Sequence, residues 1–163
     1  MINIRKAKLK DINRIIDFEK DLLNSANDLI NRSTPDHIID FKLKDDYEEN
    51  LFNYIKGRIY SKNDAIFIAD YNDKSVGHII ISIKKNFPIF EMKYYGRINT
   101  IFIKKEFRGM GISFKLKDEA IKWFKKKGIN RISLNVLPDN QIAINAYEKW
   151  GLSLSLLEMR MTI

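Results

Sequence analysis

The chain has 163 residues, enough for one domain, expected to span 1–163, that buries its own core. It contains no cysteine, which excludes disulfides, zinc–thiolate sites and a cysteine nucleophile. Hydrophobic residues make up 45%, charged residues 31%, and the formal net charge is +8, so the surface should attract polyanions of some kind.

The first twenty residues hold no unbroken apolar stretch of signal-peptide length, and no segment reaches the roughly 18 apolar residues of a membrane span. A cytoplasmic protein without a membrane partner is the expectation. His37 and His78 lie far apart with no cysteine to join them, so no metal site is expected.

In chain order, Ile2 to Lys8 alternates apolar and basic residues, the pattern of a strand. From Leu9 to Leu29, Ile12, Ile15, Ile16, Leu22 and Leu23 recur at helical spacing, with Asp11 at the positive end of the helix dipole. "NRSTPDH" breaks that helix. A second helix is expected over Asp45 to Tyr60, with Leu51, Phe52 and Ile55 on one face.

The period then changes. Ala65 to Tyr71 is a short apolar strand, "NDK" is turn chemistry, and "SVGHIIISIKK" completes a hairpin. An irregular stretch, "NFPIFEMKYYG", leads into a strand over Arg97 to Lys105. A helix over Gly111 to Lys127 follows, with Ile112, Leu116, Ala120, Trp123 and Phe124 as its buried stripe and Gly128 as its stop. "NRISLNVL" reads as a strand, "PDNQIAINAYEKWG" as a helix closed by Gly151, and "LSLSLLEMRMTI" as a last strand whose edge is available to a second subunit. The order β-α-α-β-β-β-α-β-α-β describes an α/β sandwich, helices packed on a mixed sheet.

The turn "RGMGIS" stands between a strand and a helix. A helix start offers unpaired N–H groups and a partial positive charge, glycine lets an anion approach the backbone, and Arg108 adds a permanent charge. Those are the parts of a pyrophosphate cradle, although short R-G-x-G strings also make ordinary tight turns. The third glycine of a dinucleotide fingerprint is missing, since Phe114 occupies its place, and no G-x-x-x-x-G-K-[ST] loop is present.

Three segments in order, "IADYNDKSVGHIIIS", "INTIFIKKEFRG" and "DNQIAINAYEKWGL", resemble the central hairpin, the strand before the cofactor loop and the late helix of the GCN5-related N-acetyltransferase (GNAT) family. The resemblance spans Ala65 to Leu152 and departs from the family at Ser113, where the loop's last small residue is commonly Gly or Ala. It implies a GNAT-like fold with a mixed, mostly antiparallel sheet and helices on both faces, acetyl-coenzyme A as cofactor, and a small-molecule or peptide amine as acceptor.

By the same resemblance, backbone groups of Ile101, Phe102 and Ile103 would pair with the cofactor arm, and the N–H groups of Arg108, Gly109, Met110, Gly111, Ile112 and Ser113 would hold its pyrophosphate. Asn140 would contact the arm, with an N-cap as its ordinary alternative. Tyr147 would lie near the sulfur as the general acid, with a packing role as its alternative. The stretch Ile98 to Ile101 offers no carboxylate, so the base is left among Glu91, Glu48 and water. His37 in its loop, and aromatic residues Phe41, Phe87, Phe90, Tyr94 and Tyr95, would flank the acceptor pocket or anchor loops. Two rival readings are a non-catalytic domain that holds nucleic acid or another polyanion, disfavoured by the scatter of the lysines, and a cofactor sensor that has lost catalysis.

Overall fold

The computed structural model describes residues 1–163. Strand β1 (Ile2–Lys6) leads through a single 3-10 turn into helix α1 (Ile12–Ser33); a 3-10 segment (Pro35–Phe41) precedes α2 (Tyr47–Tyr60). Then come β2 (Asp64–Tyr71), β3 (Lys74–Lys85), β4 (Tyr94–Ile103), α3 (Ile112–Lys126), the two-residue β5 (Ile132–Ser133) and α4 (Gln141–Lys149). The strands lie in the order β1-β2-β3-β4-β5, antiparallel except for the parallel β4–β5 pair. No helix is long and apolar enough to cross a membrane.

The β2–β3 hairpin turns on Asn72 and Asp73, both at positive φ (47° and 63°), the primed turn that suits the twist of paired strands. Alternation along these strands sends side chains to two opposite cores. On one face Ile66, Ile68 and Ile80 pack with Ile12 and Ile15 of α1 and Ile55 of α2. On the other, Phe67, Ile79, Ile81 and Ile98 meet the stripe Ile112, Leu116, Ala120 and Phe124 of α3. Helices therefore cover both faces, as expected. Each buried Ile, Leu or Phe among them contributes about 1.5–3 kcal/mol relative to exposure.

Gly96 sets how closely α3 approaches the sheet. A Cβ there would sit 2.6 Å from the Phe124 ring, so only glycine lets that ring lie against β4. On the opposite side of the sheet, Arg5 of β1 donates from Nε to Asp70 at 2.6 Å and from Nη1 to Asp11 at 2.8 Å, fixing the approach to α1.

Four expectations need correction. The face of α1 is not purely apolar: Phe18 and Glu19 are buried, whereas Leu22 and Leu23 are only half-buried. Phe52 of α2 is 38% exposed, whereas Ile55 is buried and Leu51 and Ile59 pack beside it. The strand expected over "NRISLNVL" pairs only at Ile132 and Ser133, since it diverges from β4 beyond them. Residues 152–163 form no strand. Leu154, Leu156, Leu157, Met159 and Met161 are exposed, and Arg160 ties the segment to Asp40 at 3.0 Å. Alternating leucines carry the period of a strand, but this segment makes no ladder with any strand of the sheet.

Candidate active site

The turn between β4 and α3 starts with the Arg108 amide donating to the Lys105 carbonyl at 3.3 Å. The next amide to find a backbone carbonyl is that of Lys115, bonded to Gly111 at 3.3 Å. The amides from Gly109 to Phe114 thus carry no backbone partner. They cluster at the N-terminus of a 15-residue helix, where the dipole favours an anion. Gly109 and Gly111 have φ of 81° and 74°, left-handed values that disfavour other residues, and a Cβ on either would meet nothing within 4 Å. The space above this turn is open.

Of the six amides expected to form the cradle, those of Gly109, Met110, Gly111, Ile112 and Ser113 are free, and that of Arg108 is engaged within the chain. The Arg108 guanidinium folds back, its Nε donating to the Ile103 carbonyl at 3.0 Å. Its terminal nitrogens have no partner and remain for an anion.

The second component is an open strand edge. β5 pairs with β4 only at Gly96 and Arg97. Beyond Arg97 the two diverge, so the outer side of β4 from Ile98 to Ile103 has no neighbouring strand, and Ile101, Phe102 and Ile103 lie on this edge. Strand β4 also carries a bulge: Ile80 faces Thr100 and Ile81 faces Ile98, leaving Asn99 as the extra residue. Asn99 accepts a hydrogen bond from the buried Ser82 at 2.8 Å. On the α1 side, a cleft of about 580 Å³ runs beside the end of β4, with Asp21, Asn24 and Asp28 along one wall and Phe102, Lys104 and Arg108 along the other.

Helix α4 brings the third component. Asn140 caps it, its Oδ1 accepting from the Ala143 amide at 3.2 Å. The capping role is realised, and it leaves the side-chain NH₂ unbonded. Tyr147 is half-buried and its hydroxyl has no partner; burial pushes its pKa above the ordinary phenol value. Tyr147 packs against Trp150 in a tilted arrangement with ring centres 5.1 Å apart, and Trp150 meets Phe114 of the first turn of α3 edge-on at 6.2 Å. Two aromatic contacts therefore join Tyr147 to the helix that begins at the glycine turn.

The base candidates fare differently. Glu48 is exposed and bonded to Lys20 at 2.6 Å, and that ammonium holds its carboxyl below the usual value. Glu91 is exposed in its loop. His37 sits on the 3-10 segment with its Nδ1 3.7 Å from Asp40. Phe41 lines a separate cavity of about 380 Å³ with Ile38 and Ile39, while Phe87, Phe90 and Tyr94 are exposed.

Sequence reasoning missed a buried polar cluster. Glu19 of α1 lies against the sheet, its Oε1 2.6 Å from His78 Nε2 and accepting from Thr100 Oγ1 at 2.6 Å. Phe18 stacks on the His78 ring at 5.6 Å. The available signal was Glu19 itself, seven residues after Ile12 and four after Ile15 on the buried face of α1.

The model of a family described as the acetyltransferase (GNAT) family matches residues 24–152. An uncharacterized N-acetyltransferase of Methanocaldococcus jannaschii is 32% identical over 98 residues, which cover 60% of this chain and 43% of that protein. The chain thus spans less than half the length of that archaeal relative. N-alpha-acetyltransferase 30 of Schizosaccharomyces pombe is 28% identical over 114 residues, covering 70% of this chain and 72% of its own. The crystal structure of a predicted acetyltransferase with acetyl-CoA from Clostridium acetobutylicum superposes with a TM-score of 0.78 at 21% identity, covering 98% of this chain and 96% of that one. With the matched model spanning the hairpin, the glycine turn and the late helix, the chain belongs to the GNAT acetyltransferase family.

Proposed function

We propose that the protein transfers an acetyl group from acetyl-coenzyme A to a primary amine, by direct attack within a ternary complex. The observation that carries this reading is the run of unpaired amides at the start of α3 beside an unpaired edge of β4. The pair suits a diphosphate followed by an extended amide-bearing arm. Bound there, the cofactor supplies an activated thioester carbonyl.

The amides of Gly109 to Ser113 bind the diphosphate, with the free end of Arg108 adding charge. Backbone groups of Ile101 and Phe102 pair with the arm, and an amide on this edge polarises the thioester carbonyl. Ile103 contributes less, since Arg108 already occupies its carbonyl. The unbonded NH₂ of Asn140 is a further donor to the arm. Tyr147 holds a proton, and its raised pKa keeps it neutral at pH 7 until it gives that proton to the departing sulfur.

The acceptor must attack as a neutral amine. A lysine-type amine, pKa about 10.4, is neutral in roughly one molecule in 2,500 at pH 7, equivalent to about 4.6 kcal/mol; for a peptide α-amine the figure is about 1 kcal/mol. The name of the fission-yeast relative brings peptide α-amines into consideration beside small amines. A thiol-release assay with acetyl-coenzyme A and spermidine, L-lysine or a short peptide with a free N-terminus tests the proposal. Amine-dependent release is expected. Absence of release with all three, combined with polyanion binding that weakens steeply with salt, would favour a binding domain instead.

A further inference from the structure

A lysine-type acceptor needs a group to take its proton, and β4 carries no carboxylate between Ile98 and Ile101. The strand meets one from elsewhere. Thr100 lies beside the Asn99 bulge, and its hydroxyl donates to Glu19 of α1 at 2.6 Å. The same oxygen, Oε1, faces Nε2 of His78 on β3, also at 2.6 Å. Nδ1 of His78 is buried with no partner, so the ring's hydrogen belongs on Nε2, where it donates to Glu19.

Two strands therefore converge to hold one oxygen of a carboxylate that α1 supplies. The other, Oε2, has no partner, and the Glu19 side chain keeps 9% of its surface exposed although His78 keeps none. Burying a carboxylate is unfavourable unless it is hydrogen-bonded, and here only one of its two oxygens is bonded within the chain. Thr100 also belongs to the open edge of β4, so one residue joins this carboxylate to the strand that would carry the thioester.

We infer that Glu19 is the proton acceptor for the amine, with Thr100 and His78 as positioning residues that aim its free oxygen. This rests on the acetyl-transfer reading above. The acceptor ammonium loses one proton to Oε2, so that an N–H bond breaks and an O–H bond forms. The freed lone pair attacks the thioester carbonyl, the C–N bond forms as the C–S bond breaks, and the sulfur leaves as the thiol with the proton of Tyr147, whose phenolate takes the second N–H proton. The groups facing Glu19 are His78 from β3, the Thr100 hydroxyl from β4 and, at longer range, Tyr54 from α2. Arg58 is ion-paired to Asp64 of β2 and lies 4.2 Å above the Tyr54 ring. Tyr54 is within electrostatic reach of Glu19, whose charge adds to burial in raising the phenol pKa. Tyr54 itself is 40% exposed, and Oε2 is the carboxylate oxygen left for an incoming amine.

The test is Glu19→Gln with L-lysine and spermidine as acceptors, followed by thiol release from pH 7 to 9. At pH 7, kcat/KM should fall about 100-fold, the scale of general-base loss. The deficit should shrink about tenfold per pH unit as solution supplies the neutral amine. Coenzyme A affinity, read by calorimetry, should stay within threefold. Thr100→Val should show a smaller loss, about tenfold, with the same convergence, and Thr100→Ser should restore activity; this pair carries the test if Glu19→Gln does not fold. A deficit that is constant across pH, or none at all, overturns the assignment while leaving acetyl transfer intact. A wild-type protein that releases no thiol with any amine overturns both.

Discussion

Replacing Gly111 by asparagine separates two reasons for a glycine at that position. Its φ of 74° and ψ of 8° are left-handed, and the space a Cβ would take is empty for at least 4 Å. In the free protein the substitution therefore meets strain but no collision. The left-handed conformation costs an L-residue about 1–2 kcal/mol, and asparagine tolerates it better than most. For a chain of this size 1 kcal/mol moves Tm by roughly 2–4 °C, so Gly111→Asn should lose no more than about 4 °C. Cofactor binding should suffer far more. The new side chain projects into the space faced by the amides of Gly109 to Ser113 and displaces the diphosphate from them. Hydrogen bonds to a charged group contribute about 1.5–3 kcal/mol each, so loss of two gives about 3–6 kcal/mol. That is a rise in Kd of at least about 100-fold. Calorimetric titration with coenzyme A beside a thermal melt reads both quantities on one sample. A folded Gly111→Asn protein that binds coenzyme A within threefold of wild type would refute the cradle.

Tyr147→Phe should lower kcat by about 100-fold, the scale of lost acid catalysis, with coenzyme A affinity unchanged; calorimetry and steady-state thiol release check this. The alkaline limb of kcat due to this phenol should lie above the ordinary tyrosine value, because burial raises its pKa. Gly96→Ala should destabilise the fold by about 1–3 kcal/mol through overpacking against Phe124, read by urea denaturation. Asp11 has a lowered pKa, first through its hydrogen bond from Arg5, so its contribution to stability is present above the unfolded carboxylate pKa and is lost as pH falls through the folded one. Asp11→Asn should accordingly be less stable than wild type at pH 7, with the gap closing below about pH 4 in denaturant melts.

Local patterns were enough to place the hairpin around Asn72 and Asp73, the stripe Ile112–Leu116–Ala120–Phe124, and the glycine turn before it. Each depends on spacing within one segment: a period of two, a period near four, or two glycines at a strand-to-helix junction. The Asn140 cap was legible for the same reason, since its bond reaches only three residues. Spacing also misled where pairing was required. The alternation of residues 152–163 has a strand's period, yet a strand exists only when it pairs with another, and this segment pairs with none.

What tertiary structure alone decided is which distant residues share a space. The divergence of β5 from β4 after Arg97 leaves the edge open, and it follows from how two strands are anchored, not from either sequence. Glu19, His78 and Thr100 are separated by 59 and 22 residues and carry no common motif. They meet because α1 crosses the sheet over β3 and β4 with Glu19 on its buried face. Backbone periodicity determines which face a side chain takes; only packing of one element on another determines what it finds there.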